Sequence, residues 1–194
     1  MRRRLANVVS AILHPTVLPV IAFWALLFIA EENLPNRNQY LAIAFTVCTL
    51  SPIVVVLVLI RAGIVNDYDV SDRKRRLLPF ILGVIVYIAG YFVMQANGAP
   101  VIVSGLILCY AINTFIIMFI TLQWKISVHM ASLGGPIAAL TFVFGPAMLL
   151  LLLLVPLLAW SRVVLKAHTR MQTLAGAALG FFFTYIELKV FFGA

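Results

Sequence analysis

The stretch PIAALTFVFGPAMLLLLLLVPLLAW, residues 136–160, decides the fold. It carries no charged side chain, and the Gly145-Pro146 pair punctuates it as a turn. A helix needs about 20 apolar residues to cross a bilayer. The run therefore reads as parts of two spans, at roughly 127–144 and 146–161, joined in a tight helical hairpin.

Working outward, further apolar runs lie at roughly 8–30, 40–60, 77–95, 101–122 and 169–191. Aliphatic, aromatic and cysteine residues make up 64% of the 194 residues and charged residues 10%, with a mean hydropathy of +1.11. These values place the chain among polytopic membrane proteins. The expectation is an all-α transmembrane bundle of six to seven helices forming one domain over residues 1–194, with no soluble domain and no nucleic-acid partner. The first run is too long for a signal h-region and lacks a small-residue cleavage site, so it reads as a retained helix. Cys48 and Cys109 have no neighbouring His or Cys, which gives no metal spacing and leaves them as small packing residues.

The net charge of +8 acquires meaning once it is placed on seven alternating spans. Arg2, Arg3, Arg4, Arg61, Arg73, Lys74, Arg75, Arg76, Lys125, Arg162, Lys166 and Arg170 fall on one face, against Arg37 and Lys189 on the other. By the positive-inside rule that basic face is cytoplasmic, and an inner (cytoplasmic) membrane is the expected location. Anionic headgroups account for most of Arg2 to Arg4. Arg73 to Arg76, opening the third span, equally suit bidentate phosphate binding.

Two polar clusters stand out on that face: Ser127-Val128-His129, and Ser161-Arg162 followed by His168 and Gln172. Ionisable groups near apolar spans are costly and mark functional sites by default. The third, fifth and seventh helices start on the basic face, so their free N–H groups and dipoles favour an anion there. Lys125 and His129, four apart, share a helical face with Ser127 beside them. Ser127 either caps the helix or donates to a phosphate. His168 and Gln172 are also four apart, so the Gln side chain can hold one imidazole nitrogen while the other faces phosphorus. Arg162 and Lys166 stand ready to neutralise developing charge. His14, before Pro15, reads as a structural residue beside proline kinks in preference to a pocket residue. Asn113 and Thr121 read as interhelical hydrogen-bonding residues.

Ser161-Arg162, five residues, His168, three residues, Gln172 resembles the last motif of the type 2 phosphatidic acid phosphatase superfamily, in which Asp stands at the final position. Ile126-Ser127-Val128-His129 is similar to that family's Pro-Ser-Gly-His motif, and Arg76-Leu77-Leu78-Pro79 is the nearest counterpart of its first motif. The resemblance covers mainly residues 70 to 175. It implies a metal-independent phosphatase that needs no cofactor, with a lipid phosphate or diphosphate, polyprenyl or glycerolipid, as its membrane partner. His168 would be the nucleophile that forms a phosphohistidine, His129 the acid for the leaving alcohol and Gln172 the orienting residue. Arg73, Arg76, Lys125, Ser127 and Arg162 would bind the phosphate. One alternative is a non-catalytic lipid-phosphate binder or transporter. Another is a Mg²⁺-dependent prenyltransferase built on Asp67, Asp69 and Asp72, although these acids read more readily as partners of the adjacent arginines.

Overall fold

The computed structural model describes residues 1–30 and 33–192, which are helical with no strand among them. The first apolar run is broken into α1 (Arg2–Ile12) and α2 (Leu18–Phe28). Pro15 has no N–H and disfavours helical geometry at His14, so the chain interrupts the helix here instead of merely kinking it. The second span starts earlier than expected, at Arg37: α3 (Arg37–Phe45) passes through a π-turn at Thr46–Leu50 into α4 (Ser51–Arg61). A short 3₁₀ turn at Arg73–Arg75 leads into α5 (Leu77–Ala96), and α6 is Val101–Gln123. Then follow α7 (Val128–Phe144), a 3₁₀ stretch at Pro146–Leu153 that winds into α8 (Leu154–Val164), and α9 (Arg170–Phe192). Gly145, at φ 86°, makes the expected hairpin between α7 and the 3₁₀ stretch.

Five of these segments are long and apolar enough to cross a membrane: Arg37–Arg61, Arg73–Ala96, Val101–Gln123, Pro146–Val164 and Arg170–Phe191. Val128–Phe144 is shorter and is the central helix, buried over most of its first three turns. It packs most extensively on α9, and α6 and α2 add to its cover. Large apolar side chains such as Phe92, Phe119, Leu153 and Phe182 face outward, as lipid contact requires.

The α7–α9 contact rests on glycine. A Cβ at Gly180 would collide with the Ala131 carbonyl, and one at Gly134 would lie 2.5 Å from the Ala177 oxygen. The obstructing atoms are backbone, so neither side can yield without parting the helices. Gly180→Ala is therefore expected to destabilise the bundle by about 1–3 kcal/mol, the usual range for overpacking. A melting curve in detergent checks this, and an unchanged midpoint would refute the close contact.

Polar groups sort to the two ends. At one end Gln39 donates to Asn97 (2.7 Å) and Tyr40 to the Asn97 carbonyl (3.1 Å). At the other, the Ser161 hydroxyl donates to the Ala6 carbonyl (2.7 Å), and Arg73 donates to the Thr121 carbonyl (2.9 Å) and to that of Leu122. Thus α1, the 62–76 segment, the 124–127 segment and the end of α8 meet on the basic face. Cys48 and Cys109 are buried in the apolar core, as expected of packing residues. Asn113 bridges helices by donating to Thr184 (2.9 Å) and Glu187 (3.3 Å), whereas the buried Thr121 hydroxyl makes no hydrogen bond.

Candidate active site

Arg162 is the centre of the polar end. Only 3% exposed on the last turn of α8, it donates from Nη2 to Asp69 Oδ2 (2.8 Å) and from Nη1 to the Ser10 hydroxyl (2.6 Å). Its Nη1 also lies 3.4 Å from His129 Nε2. A guanidinium can only donate, so that imidazole nitrogen is the acceptor. The Nε–H of Arg162 is buried without a partner. Past α8, Lys166 turns the chain at φ 56°, with Ala167 N–H donating to the Arg162 carbonyl. This left-handed helix end delivers His168 back toward the site.

His168 is 7% exposed, and its Nδ1 lies 3.2 Å from the Lys125 carbonyl. A carbonyl only accepts, so Nδ1 carries the proton and Nε2 keeps its lone pair. Burial lowers the His168 pKa to about 4, and the charges of Arg76, Lys125 and Arg162 act in the same direction. The ring is neutral at physiological pH. That is the state a nitrogen nucleophile needs.

The expected role of Gln172 is not realised. Its Oε1 accepts from Thr169 N–H (3.0 Å) while its own N–H donates to the Thr169 hydroxyl (3.3 Å), closing a reciprocal cap on α9. The i, i+4 argument fails because His168 precedes the helix, which starts at Arg170. For the same reason Lys125 shares no helical face with His129, since α7 starts at Val128. Lys125 contributes its carbonyl to His168, and burial together with Arg76 and Arg162 lowers its ammonium pKa.

The remaining predicted residues divide. Ser127 precedes α7 but its hydroxyl caps nothing; it is fully buried with no partner, so it retains a donor. Arg76, 5% exposed, donates from Nε to the Val70 carbonyl (2.8 Å) and from Nη1 to that of Ile126 (3.3 Å). It links the 62–76 segment to the residue before Ser127. Arg73 is spent on the carbonyl end of α6 and is not brought into the cluster. Lys166 is exposed.

Two residues belong to the site that the sequence reading placed elsewhere. His14 sits in the α1–α2 break with its Nδ1 accepting from Thr16 N–H (3.3 Å), so in the neutral ring the proton is on Nε2. That Nε2 is 4.0 Å from Asp69 Oδ1, and the His14 ring stands edge-on to His129 at 5.0 Å. Burial lowers the His14 pKa, which Asp69 opposes and Arg162 reinforces. Asp69 pairs with Arg162, 93 positions later, not with a neighbouring arginine. Burial opposes its ionisation, but His129, Arg162 and His14 hold its carboxyl below the usual value. The other two acids go elsewhere: Asp67 accepts from Ser71 (3.0 Å) and Asp72 pairs with Arg75 (3.6 Å). The three carboxylates therefore do not converge as a magnesium cluster would require.

His14, Asp69 and His129 do bring potential metal-ligand atoms within 4.8 Å of one another. The Arg162 guanidinium, however, already contacts both the carboxylate and His129 Nε2, and so fills the position of a cation. With Arg76 and Lys125 close by, the field of the site favours an anion.

A cavity of about 230 Å³ opens onto this cluster. His14, Asp69, Arg76 and His129 form its polar end, and it continues between α4 and α5 over Val55, Val56, Phe80 and Val86 toward Tyr87. Such a shape fits a charged head on an apolar tail. When the chain is compared with family models, curated proteins and solved structures, none matches.

Proposed function

We propose that the protein is a metal-independent membrane phosphatase that hydrolyses a lipid phosphate or diphosphate through a phosphohistidine on His168. The observation that carries the reading is the state of that ring: neutral, with Nδ1–H fixed on a backbone carbonyl and Nε2 unprotonated among buried arginines. Arg162, Arg76 and Ser127 supply donors, two of which, Arg162 Nε and Ser127 Oγ, have no partner within the protein. Unpartnered buried donors are costly unless a ligand uses them. The lipid tail lies in the apolar cavity, so the ester oxygen leaves on the cavity side, where His14 and His129 stand. The phosphorus faces His168. The basic end is the cytoplasmic face of an inner membrane.

A phosphate-release screen over prenyl and glycerolipid phosphates in the presence of EDTA tests the reading. EDTA-resistant release is expected from at least one class. Release that requires Mg²⁺ would overturn it, and saturable binding without turnover would establish the non-catalytic binder instead.

A further inference from the structure

The cavity stops short of the residues that are meant to act on phosphate. It reaches His14, Asp69, Arg76 and His129, whereas Arg162, Ser127, Lys125 and His168 do not line it. Between the cavity and Arg162 stands the carboxylate of Asp69, which lines the one and pairs with the other. Its side chain is 37% exposed, while that of Arg162 behind it is 4% exposed. Around this carboxylate lie the groups a phosphate would use: Arg162 Nη2 at 2.8 Å and His14 Nε2 at 4.0 Å. Arg76, another wall of the same cavity, holds the next residue through the Val70 carbonyl.

We infer that Asp69 is a specificity-determining residue: an internal anion on Arg162 that monoester dianions and diphosphates displace and that phosphodiester headgroups do not. The inference rests on the phosphate-binding part of the reading above. A phosphate monoester carries a charge of about −1.5 to −2 at neutral pH because its second pKa is about 6. A phosphodiester carries one negative charge, the same as the carboxylate already in place. Exchanging one monoanion for another on Arg162 gains little. A dianion gains a second charge against Arg162 and Arg76. This distinction matters in a bilayer, where diester headgroups surround the cavity mouth in large excess over any monoester substrate.

The backbone beside Asp69 is held in an uncommon conformation. Val70 has φ 44°, a left-handed conformation that a β-branched residue rarely adopts. The hydrogen bond from Arg76, the Val70 N–H on the Asp67 carbonyl and packing against Leu59 and Val65 hold it there.

Binding of two probes with the same tail tests the inference on the full chain in detergent: decylphosphonate, a non-hydrolysable dianion at mildly alkaline pH, and its monomethyl ester, a monoanion. Wild type is expected to prefer the dianion strongly. Asp69→Asn should reduce that preference about tenfold, chiefly by tightening diester binding, on the scale of one charged hydrogen bond. Asp69→Ser, which removes the side chain's reach as well as its charge, should do the same. An unchanged preference would overturn the inference. Weakened binding of both probes would also overturn it by making Asp69 a support for Arg162, as would failure of both variants to fold. Phosphate release, measured separately, keeps the two ideas apart. A changed preference without turnover retains the gate and rejects the phosphatase, and turnover with an unchanged preference does the reverse.

Discussion

His168→Ala is expected to abolish phosphate release, by about 10³-fold or more, the scale on which removal of a nucleophile acts. In the proposed step the Nε2 lone pair forms a bond to phosphorus while the P–O bond to the lipid alcohol breaks and its electrons leave with the oxygen, which takes up a proton. Water then attacks the phosphohistidine and returns the nitrogen's lone pair. His168→Asn is the sharper variant. Its amide N–H can replace Nδ1–H as donor to the Lys125 carbonyl, so the fold is retained while the nucleophile is lost. Turnover in His168→Asn near the wild-type rate would remove His168 from the mechanism. The pH profile gives a second readout. The ring's pKa lies at about 4 against its usual 6.5, so the nucleophile is unprotonated at neutral pH and its acid limb falls near pH 4. For stability the sign is the opposite of an ordinary salt-bridged histidine. Between pH 6.5 and about 4 the unfolded chain binds the proton that the folded chain excludes, so stability falls as pH is lowered through this window.

The contrast between His168 and Asp69 shows what was legible. Ser161, Arg162 and His168 lie within eight positions of one another, and their type and spacing in an apolar chain were enough to mark a site. Asp69 reaches Arg162 across 93 positions, and His14 reaches Asp69 across a broken helix, so no local pattern could pair them. Pro15 was a visible signal of that break. As a kink it keeps His14 inside a span; the full interruption places the ring in the cavity wall. Gln172 carried its own signal as well. Thr169 and Gln172 have the spacing of a capping box, which competes with any i, i+4 contact to His168 and wins because the helix starts after the histidine. Five spans were legible to within a few residues because composition fixes them, whereas the break in the 8–30 run, the π-turn at Thr46–Leu50 and the 3₁₀ stretch at Pro146–Leu153 leave no mark on composition.

Arg162→Met should combine the loss of turnover with a loss of stability, because one side chain serves both. Removing the guanidinium leaves the Ser10 hydroxyl, His129 Nε2 and Asp69 without their donor. A fully buried broken ion pair costs about 3–5 kcal/mol. Asp69 is 37% exposed and can turn toward water, so about 1–3 kcal/mol is the expected figure here. Adding Asp69→Asn to Arg162→Met should recover part of that stability, since no carboxylate is then left facing an apolar side chain. It should recover no activity, since the phosphate still lacks its guanidinium. Arg162→Lys separates charge from geometry: one ammonium cannot meet Ser10, His129 and Asp69 together, so a loss of roughly 10–100-fold in turnover is expected at nearly unchanged net charge. Melting curves and phosphate release on these variants decide the matter. Full activity in Arg162→Lys, or a double variant no more stable than Arg162→Met, would refute the joint role. Acidification supplies the remaining check. The Asp69 carboxyl is held below its ordinary 3.8, so its pairing stabilises the fold above that value and is lost as pH falls through the lower one. That acid-side loss should be smaller in Arg162→Met than in wild type, because Asp69 then keeps His129 and His14 but no guanidinium to lower it.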